Sequence, residues 1–280
     1  MRVIVVGGCE SSIDQAYMDF LMSSPLYRVV VILTPQWLAQ RYYWAATSIP
    51  VHPWSHLSQW VRAADVACLL SDVPSDIATI ALTECLHVYA KDAFRWSSDQ
   101  MKTVFRAAWC YGRHFTPGAV MRQDPYLQSV REALSARKKK PLHVLLIQRG
   151  REASLLHAID AMCWLLGEYP TRGMYGGVEE RCSCTLEFPA GMVATLICAT
   201  EAHQSDHRFE CLGESIVVDN PQQPQCAKRF QEAVHAEMRA FHQRIAEKGA
   251  GPSLGALEAD HCSAIYQLVE GLRKSQQARL

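Results

Sequence analysis

The apolar positions of this chain fall into short β-branched runs, and stretches of helical period separate them. Residues 2–8, Arg-Val-Ile-Val-Val-Gly-Gly, read as a buried parallel strand that feeds a tight turn. Residues 28–34 predict a second buried strand, 66–71 a weaker third and 87–90 a fourth. Helical patterns lie between them, over roughly 13–22, 76–85 and 98–108, the last opened by the capping cluster Ser97-Ser98-Asp99-Gln100. Strand and helix in alternation imply a parallel sheet with helices on both faces. Such a sheet takes ligands beyond the carboxyl ends of its strands.

After about residue 112 the pattern changes. A helix is expected near 124–136, a strand at 142–147, and a strongly apolar helix from Leu156 to Leu166. There Leu156, Ile159, Cys163 and Leu166 repeat at spacings of three and four. Gly167 stops that helix as a C′ glycine. His157 and Asp160, three apart, are neighbours on its polar side. Strands with hairpin-like connections follow, over 181–188, 192–200, 208–212 and 215–219, so an antiparallel sheet is predicted. The chain closes with helices near 231–248 and 257–278, separated by Gly249-Ala250-Gly251-Pro252.

Composition narrows the function. Lys plus Arg equals Asp plus Glu at 28 each, which gives no electrostatic reason for nucleic acid or an anionic membrane as partner. No run approaches the ~20 apolar residues of a membrane span, and the opening apolar run is too short for a signal peptide. Eleven cysteines, odd in number and irregularly spaced, read as free thiols of a cytoplasmic protein. His203 and His207 have no thiol or acid at matching spacing, so no metal site is expected. Lys138-Lys139-Lys140 reads as a solvated loop. Trp37, Tyr42, Tyr43, Trp44, Trp54 and Trp60 crowd one stretch; they either pack locally or face a pocket or partner.

The first turn tests for a dinucleotide, whose fingerprint is Gly-x-Gly-x-x-Gly. Here it reads Gly7-Gly8-Cys9-Glu10-Ser11-Ser12, with Cys9 and Ser12 at the second and third glycine positions. Gly8 can take the positive φ of a shifted turn, and Ser11 and Ser12 can hydrogen-bond a phosphate. The second strand ends in Leu33-Thr34 rather than an acid. Thr34, with Arg41 beyond it, suits a 2′-phosphate better than a bare ribose, which slightly favours NADP over NAD.

In order and spacing, several stretches together resemble the Gfo/Idh/MocA-type oxidoreductases, the glucose–fructose oxidoreductase and inositol dehydrogenase family. They are the opening strand and turn, Asp65 to Pro74, Leu86 to Lys91, His157-Ala158-Ile159-Asp160, Trp164 to Glu168, Leu186 to Gly191, Phe209 to Glu214, and Ala264-Ile265-Tyr266. The resemblance implies an α/β chain: a Rossmann-type doubly wound domain over residues 1–112 and a C-terminal α+β domain over 113–280. The large open, mainly antiparallel sheet of the latter would form a homodimer or higher homo-oligomer. It implies NAD(P) held by Gly7, Gly8, Ser11, Ser12, Thr34 and Pro74, a small polar substrate, and catalysis by Lys91, His157 and Asp160. His157 is the candidate base and Lys91 the group that stabilises developing negative charge. Asp160 is expected to orient a neighbour or close a structural hydrogen bond. Tyr111 and Arg113 are further candidates for touching substrate.

Three departures open a second reading. Family members carry Glu-Lys-Pro where this chain has Ala90-Lys91-Asp92, an acid where it has Ala153, and glycines where it has Cys9 and Ser12. A pseudo-oxidoreductase without dinucleotide, serving as a partner subunit or as a cofactor-independent acid–base catalyst, is the alternative.

Overall fold

A computed structural model describes residues 1–7, 12–35, 48–70, 73–136, 143–149, 155–178, 181–199, 206–212, 224–247 and 253–277. The chain folds as two compact units. The first holds Met1–Gly118 with Val234–Ser263, and the second Ala119–Ala233 with Ala264–Leu280. The sequence pattern put a boundary after residue 112. The first unit extends beyond it because 115–117 adds a strand to its sheet, and it also takes back a stretch of each C-terminal helix.

The first unit is built on β1 (Arg2–Val6), β2 (Arg28–Thr34), β3 (Val51–Pro53), β4 (Val66–Leu69), β5 (His87–Ala90) and β6 (Phe115–Pro117). Their order is β3-β2-β1-β4-β5-β6, and every pairing is parallel. The chain runs outward from β1 in one direction through β2 and β3, then restarts with β4 on the other side of β1. That reversal makes a crevice at the carboxyl ends of β1 and β4. Val3 to Val6, Val66, Ala67 and Cys68 are fully buried, as strands covered on both faces must be. Helices α1 (Ser12–Ser23), α2 (Ser75–Thr83) and α3 (Ser98–Cys110) connect them. Ser97 and Gln100 form a reciprocal capping box at the start of α3.

Two long helices, α6 (Pro224–Ala246) and α7 (Ser253–Gln277), close the chain, after α4 and α5 described below. Within the first unit, residues of α6 pack on α1 and its following turn. The His235 ring lies 4.7 Å from Phe20, and the Tyr27 hydroxyl donates to the Met238 carbonyl at 2.7 Å.

The second unit contains α4 (Pro125–Ser135), β7 (His143–Arg149), α5 (Leu155–Leu166), β8 (Arg172–Val178), β9 (Arg181–Glu187), β10 (Val193–Ala199) and β11 (Asp206–Leu212). The sheet order is β11-β7-β10-β9-β8. Three pairings are antiparallel, and β7–β10 is parallel, so the sheet is mixed. The strict alternation of β9 and β10 buries Cys182, Cys184, Leu186, Ala194, Leu196 and Cys198 on one face. Ile159, Met162 and Cys163 of α5 are buried with them. Gly167 ends α5 at φ 68°, a left-handed conformation that favours glycine, and its amide donates to the Cys163 carbonyl at 2.9 Å. The strand expected at 215–219 and the linker at 249–252 lie outside the described residues, as do residues 138–140 and most of the aromatic stretch. Trp60 is described, and its ring packs locally, 5.4 Å from His52.

Candidate active site

In the first unit the candidate side chains gather at the carboxyl ends of the central strands. β1 ends at Gly7, which takes φ 120°, a value that side chains disfavour, while its amide donates to the Leu33 carbonyl at 2.8 Å. Ser12 then opens α1. Gly8, Cys9, Glu10 and Ser11 lie outside the described residues, and so does Arg41. Pro74 stands at the head of α2, and its carbonyl accepts from the Ile77 amide at 3.2 Å. Thr34 ends β2, but it is buried and its hydroxyl donates to the Pro35 carbonyl at 3.3 Å. The feature that favoured a 2′-phosphate is thus turned inward.

Lys91 follows β5 and is only 5% exposed. Its amide donates to the Leu69 carbonyl at 2.9 Å, which continues the β4–β5 ladder one residue past the end of β5. Its ammonium lies 2.8 Å from Oδ1 of Asp14, a fully buried residue in the first turn of α1. Oδ2 of Asp92 is 3.7 Å away. Gly118 backs the lysine from β6: a Cβ there would lie 2.4 Å from the Lys91 carbonyl oxygen and 2.8 Å from its Cα.

One turn further along α1, the Tyr17 phenol oxygen is 2.7 Å from that of Tyr89 on β5. Both reach Oε2 of Glu237 on α6, at 2.5 and 2.7 Å. Burial, reinforced by the Glu237 charge, pushes both phenols well above their usual value. Tyr111 and Arg113 precede β6 and therefore stand at the amino ends of the strands, opposite the end that carries Gly7 and Lys91. The His87–His114 pair marks that far end, with the His114 amide donating to His87 Nδ1 at 3.0 Å.

The second unit carries His157 and Asp160 on α5. His157 is half-buried in the first turn. Asp160 is 1% exposed, and both its oxygens accept from Arg122, with Nε to Oδ2 at 2.9 Å and Nη2 to Oδ1 as the second arm of the fork. Asp160 thus ties α5 to the 3₁₀ turn at Val120–Gln123. Asp124 caps α4 by accepting from the Tyr126 amide at 2.8 Å, and Arg229 Nε lies 3.1 Å from the same oxygen. Ala153 and Glu152 lie outside the described residues.

The sequence missed Asp14, Arg122 and the Tyr17–Tyr89–Glu237 group. An acid in the first turn of a helix has an ordinary reading through the helix dipole, and nothing local marks a partner far along the chain.

A six-stranded parallel sheet with a reversal at its centre, followed by a unit built on a mixed sheet, is an architecture shared with several solved dehydrogenases. Structural neighbours of that type match across nearly the full chain. One is myo-inositol 2-dehydrogenase from Lactobacillus plantarum, with TM-score 0.78, 13% identity, and 99% of this chain and 97% of that chain covered. A second is scyllo-inositol dehydrogenase from Lactobacillus casei, solved with NAD(H) and scyllo-inositol, with TM-score 0.73, 14% identity, and 98% and 97% covered. A third is UDP-N-acetylglucosamine 3-dehydrogenase from Acidithiobacillus ferrooxidans, with TM-score 0.72, 14% identity, and 96% of each chain covered. At such identity the likeness is one of fold. No family model and no curated protein matches the sequence. Among the described residues no helix is long and apolar enough to cross a membrane.

Proposed function

We propose that this chain is an NAD(P)-dependent oxidoreductase that moves hydride to or from a hydroxyl-bearing carbon of a small, polar, sugar-like substrate. The observation that carries the reading is the buried Lys91 ammonium. It is held beside Asp14 at the carboxyl end of β5, the end where sheets of this kind take their ligands. Two features support a dinucleotide there: Gly7 takes a positive φ at the end of β1, and α1 opens at Ser12 with the amides of a helix start. Gly7, Gly8, Ser11, Ser12 and Pro74 would hold it. When bound, the dinucleotide supplies the hydride donor or acceptor. In this reading Lys91 donates a charged hydrogen bond to the substrate oxygen and steadies negative charge on it. His157 takes or returns the hydroxyl proton. Asp160 fixes α5 through Arg122 and moves no proton. The inward-turned Thr34 gives no ground for NADP over NAD. A cytoplasmic location and a homo-oligomer joined through the open face of the second unit's sheet belong to the same proposal.

Cys9 and Ser12 favour the second reading, a pseudo-oxidoreductase without dinucleotide. Titration of the purified protein with NADH and with NADPH, followed by fluorescence and calorimetry, decides between them. Micromolar binding of either supports the oxidoreductase, and no binding up to millimolar concentration overturns it.

A further inference from the structure

We infer that Asp14 is the positioning residue of Lys91: it holds the lysine side chain protonated and fixed at the carboxyl end of β5, as a charged donor and not as a base. The inference deepens the oxidoreductase reading for its functional consequence, while the charge state itself can be tested without it.

A lysine buried to this depth is driven toward the neutral amine, because desolvation penalises the charged form. The opposing force here is geometric. Asp14 Oδ1 lies 2.8 Å from Nζ, and the aspartate is itself fully buried. Asp92 Oδ2, from the turn after β5, adds a second negative group at 3.7 Å. From the remaining packed elements, Tyr17 of α1 and Tyr89 of β5 are held neutral by burial beside Glu237 of α6. The backbone is fixed as well. The Lys91 amide is spent on Leu69, and Gly118 leaves no room behind the lysine for any side chain.

Asp14 also stands in the first turn of α1. The helix start that would meet a pyrophosphate and the anchor of the lysine are therefore one rigid element. Seating a dinucleotide and placing the Lys91 ammonium become a single structural event, in which α1 sets both.

The test is the pH titration of Lys91 in protein labelled with 13C-lysine, followed through its Cε–Hε resonance and assigned by the loss of that signal in K91R. In the wild-type protein Lys91 should stay protonated at least as far as the surface lysines, which titrate near ~10.4. In Asp14→Asn the midpoint should fall by about one pH unit or more, because the carboxylate 2.8 Å from Nζ that opposes desolvation is then gone. Asp14→Glu, which restores the charge, should recover part of that shift. Equal midpoints in wild type and Asp14→Asn overturn the inference. So does a wild-type Lys91 that titrates below the surface lysines, a result that needs no variant to fold.

The functional arm is the pH dependence of turnover. Asp14→Asn should move the alkaline limb of kcat to lower pH with little change in KM, and a change in KM alone would overturn the positioning role. If Lys91 shifts as expected while neither NADH nor NADPH binds, the Asp14 inference stands and the redox reading falls. If dinucleotide binds and the Lys91 midpoint does not move, the redox reading stands and Asp14 is excluded.

Discussion

Replacing Asp160 with asparagine separates proton handling from architecture on α5. Both carboxylate oxygens are committed to Arg122, and the side chains are 2% and 23% exposed respectively. The substitution keeps the shape and removes the charge, so one arm of the fork then faces donor to donor. Removing one member of a buried ion pair costs about 3–5 kcal/mol. Arg122 is partly solvated and recovers some hydration, which lowers the expected loss to about 2–3 kcal/mol. For a unit of this size that corresponds to a fall in Tm of roughly 5–10 °C. The assay is a double-mutant cycle by calorimetry with D160N, R122M and D160N/R122M. The double variant should lose much less than the sum of the singles, with a coupling of at least about 1 kcal/mol. Additive losses would refute the pairing. A D160N protein that melts with the wild type but turns over at least tenfold more slowly would instead make Asp160 a proton carrier.

Three further outcomes follow from the same geometry. Gly118→Ala puts a methyl against the Lys91 backbone; it should cost about 1–3 kcal/mol in denaturant melts and disturb the Lys91 resonance, and an unchanged melt and spectrum would contradict the close approach. Burial, with His114 and Arg113 nearby, pulls the His87 imidazole from 6.5 down to about 4. The fold therefore prefers it neutral, and its contribution is full above pH 6.5 and lost as pH falls toward 4. Discounted for the ring's partial exposure, the loss is about 1–2 kcal/mol, visible as a pH 7 to pH 4 difference that His87→Asn should reduce. Burial pushes the Cys163 and Cys184 thiols up to about 12. Peptide mass spectrometry after mild alkylation should find Cys85 and Cys110 modified in the native protein, and Cys68, Cys163, Cys182, Cys184, Cys198 and Cys262 only after unfolding; early labelling of the buried set would refute this core.

The strands and helices with enough residues to show a period were readable in the sequence. β1 and β2 are β-branched runs, α5 carries its stripe to the Gly167 stop, and Ser97 announces α3. β3 and β6 are three residues long and end in proline, so no period can develop in them. They join the sheet because a parallel neighbour is already there. β8 contains three glycines and shows no strand period in the sequence, yet it forms a strand. At Gly173 a Cβ would lie 2.7 Å from Leu272 of α7, so that glycine makes room for a helix almost a hundred residues away. The parallel β7–β10 pairing breaks the expected antiparallel order because strands distant in sequence meet. The sequence offers Lys91, His157 and Asp160 as candidates, but it does not point to Asp14 and Arg122. Their significance lies in partners that only the fold brings close.

The turn and the interior of the first unit pull in opposite directions, and magnitudes decide which counts for more. Cys9 and Ser12 stand where the dinucleotide fingerprint has glycine, but each adds only a small side chain, and Gly7 keeps its positive φ. The Lys91–Asp14 pair is a heavier commitment. Desolvating an ammonium and a carboxylate costs several kcal/mol per ion, and an apolar pair of the same volume is often as stable or more so. Stability alone therefore gives no reason for these two residues to stand at the carboxyl end of β5. A fold that had abandoned chemistry there would lose nothing by filling the position with leucine and methionine. What the pair provides is a positive charge fixed at the ligand-binding end of the sheet, next to the helix start that would receive phosphate. On the proposed function, Cys9 and Ser12 would set how tightly a dinucleotide is held, and Lys91 with Asp14 would be the reason to hold one.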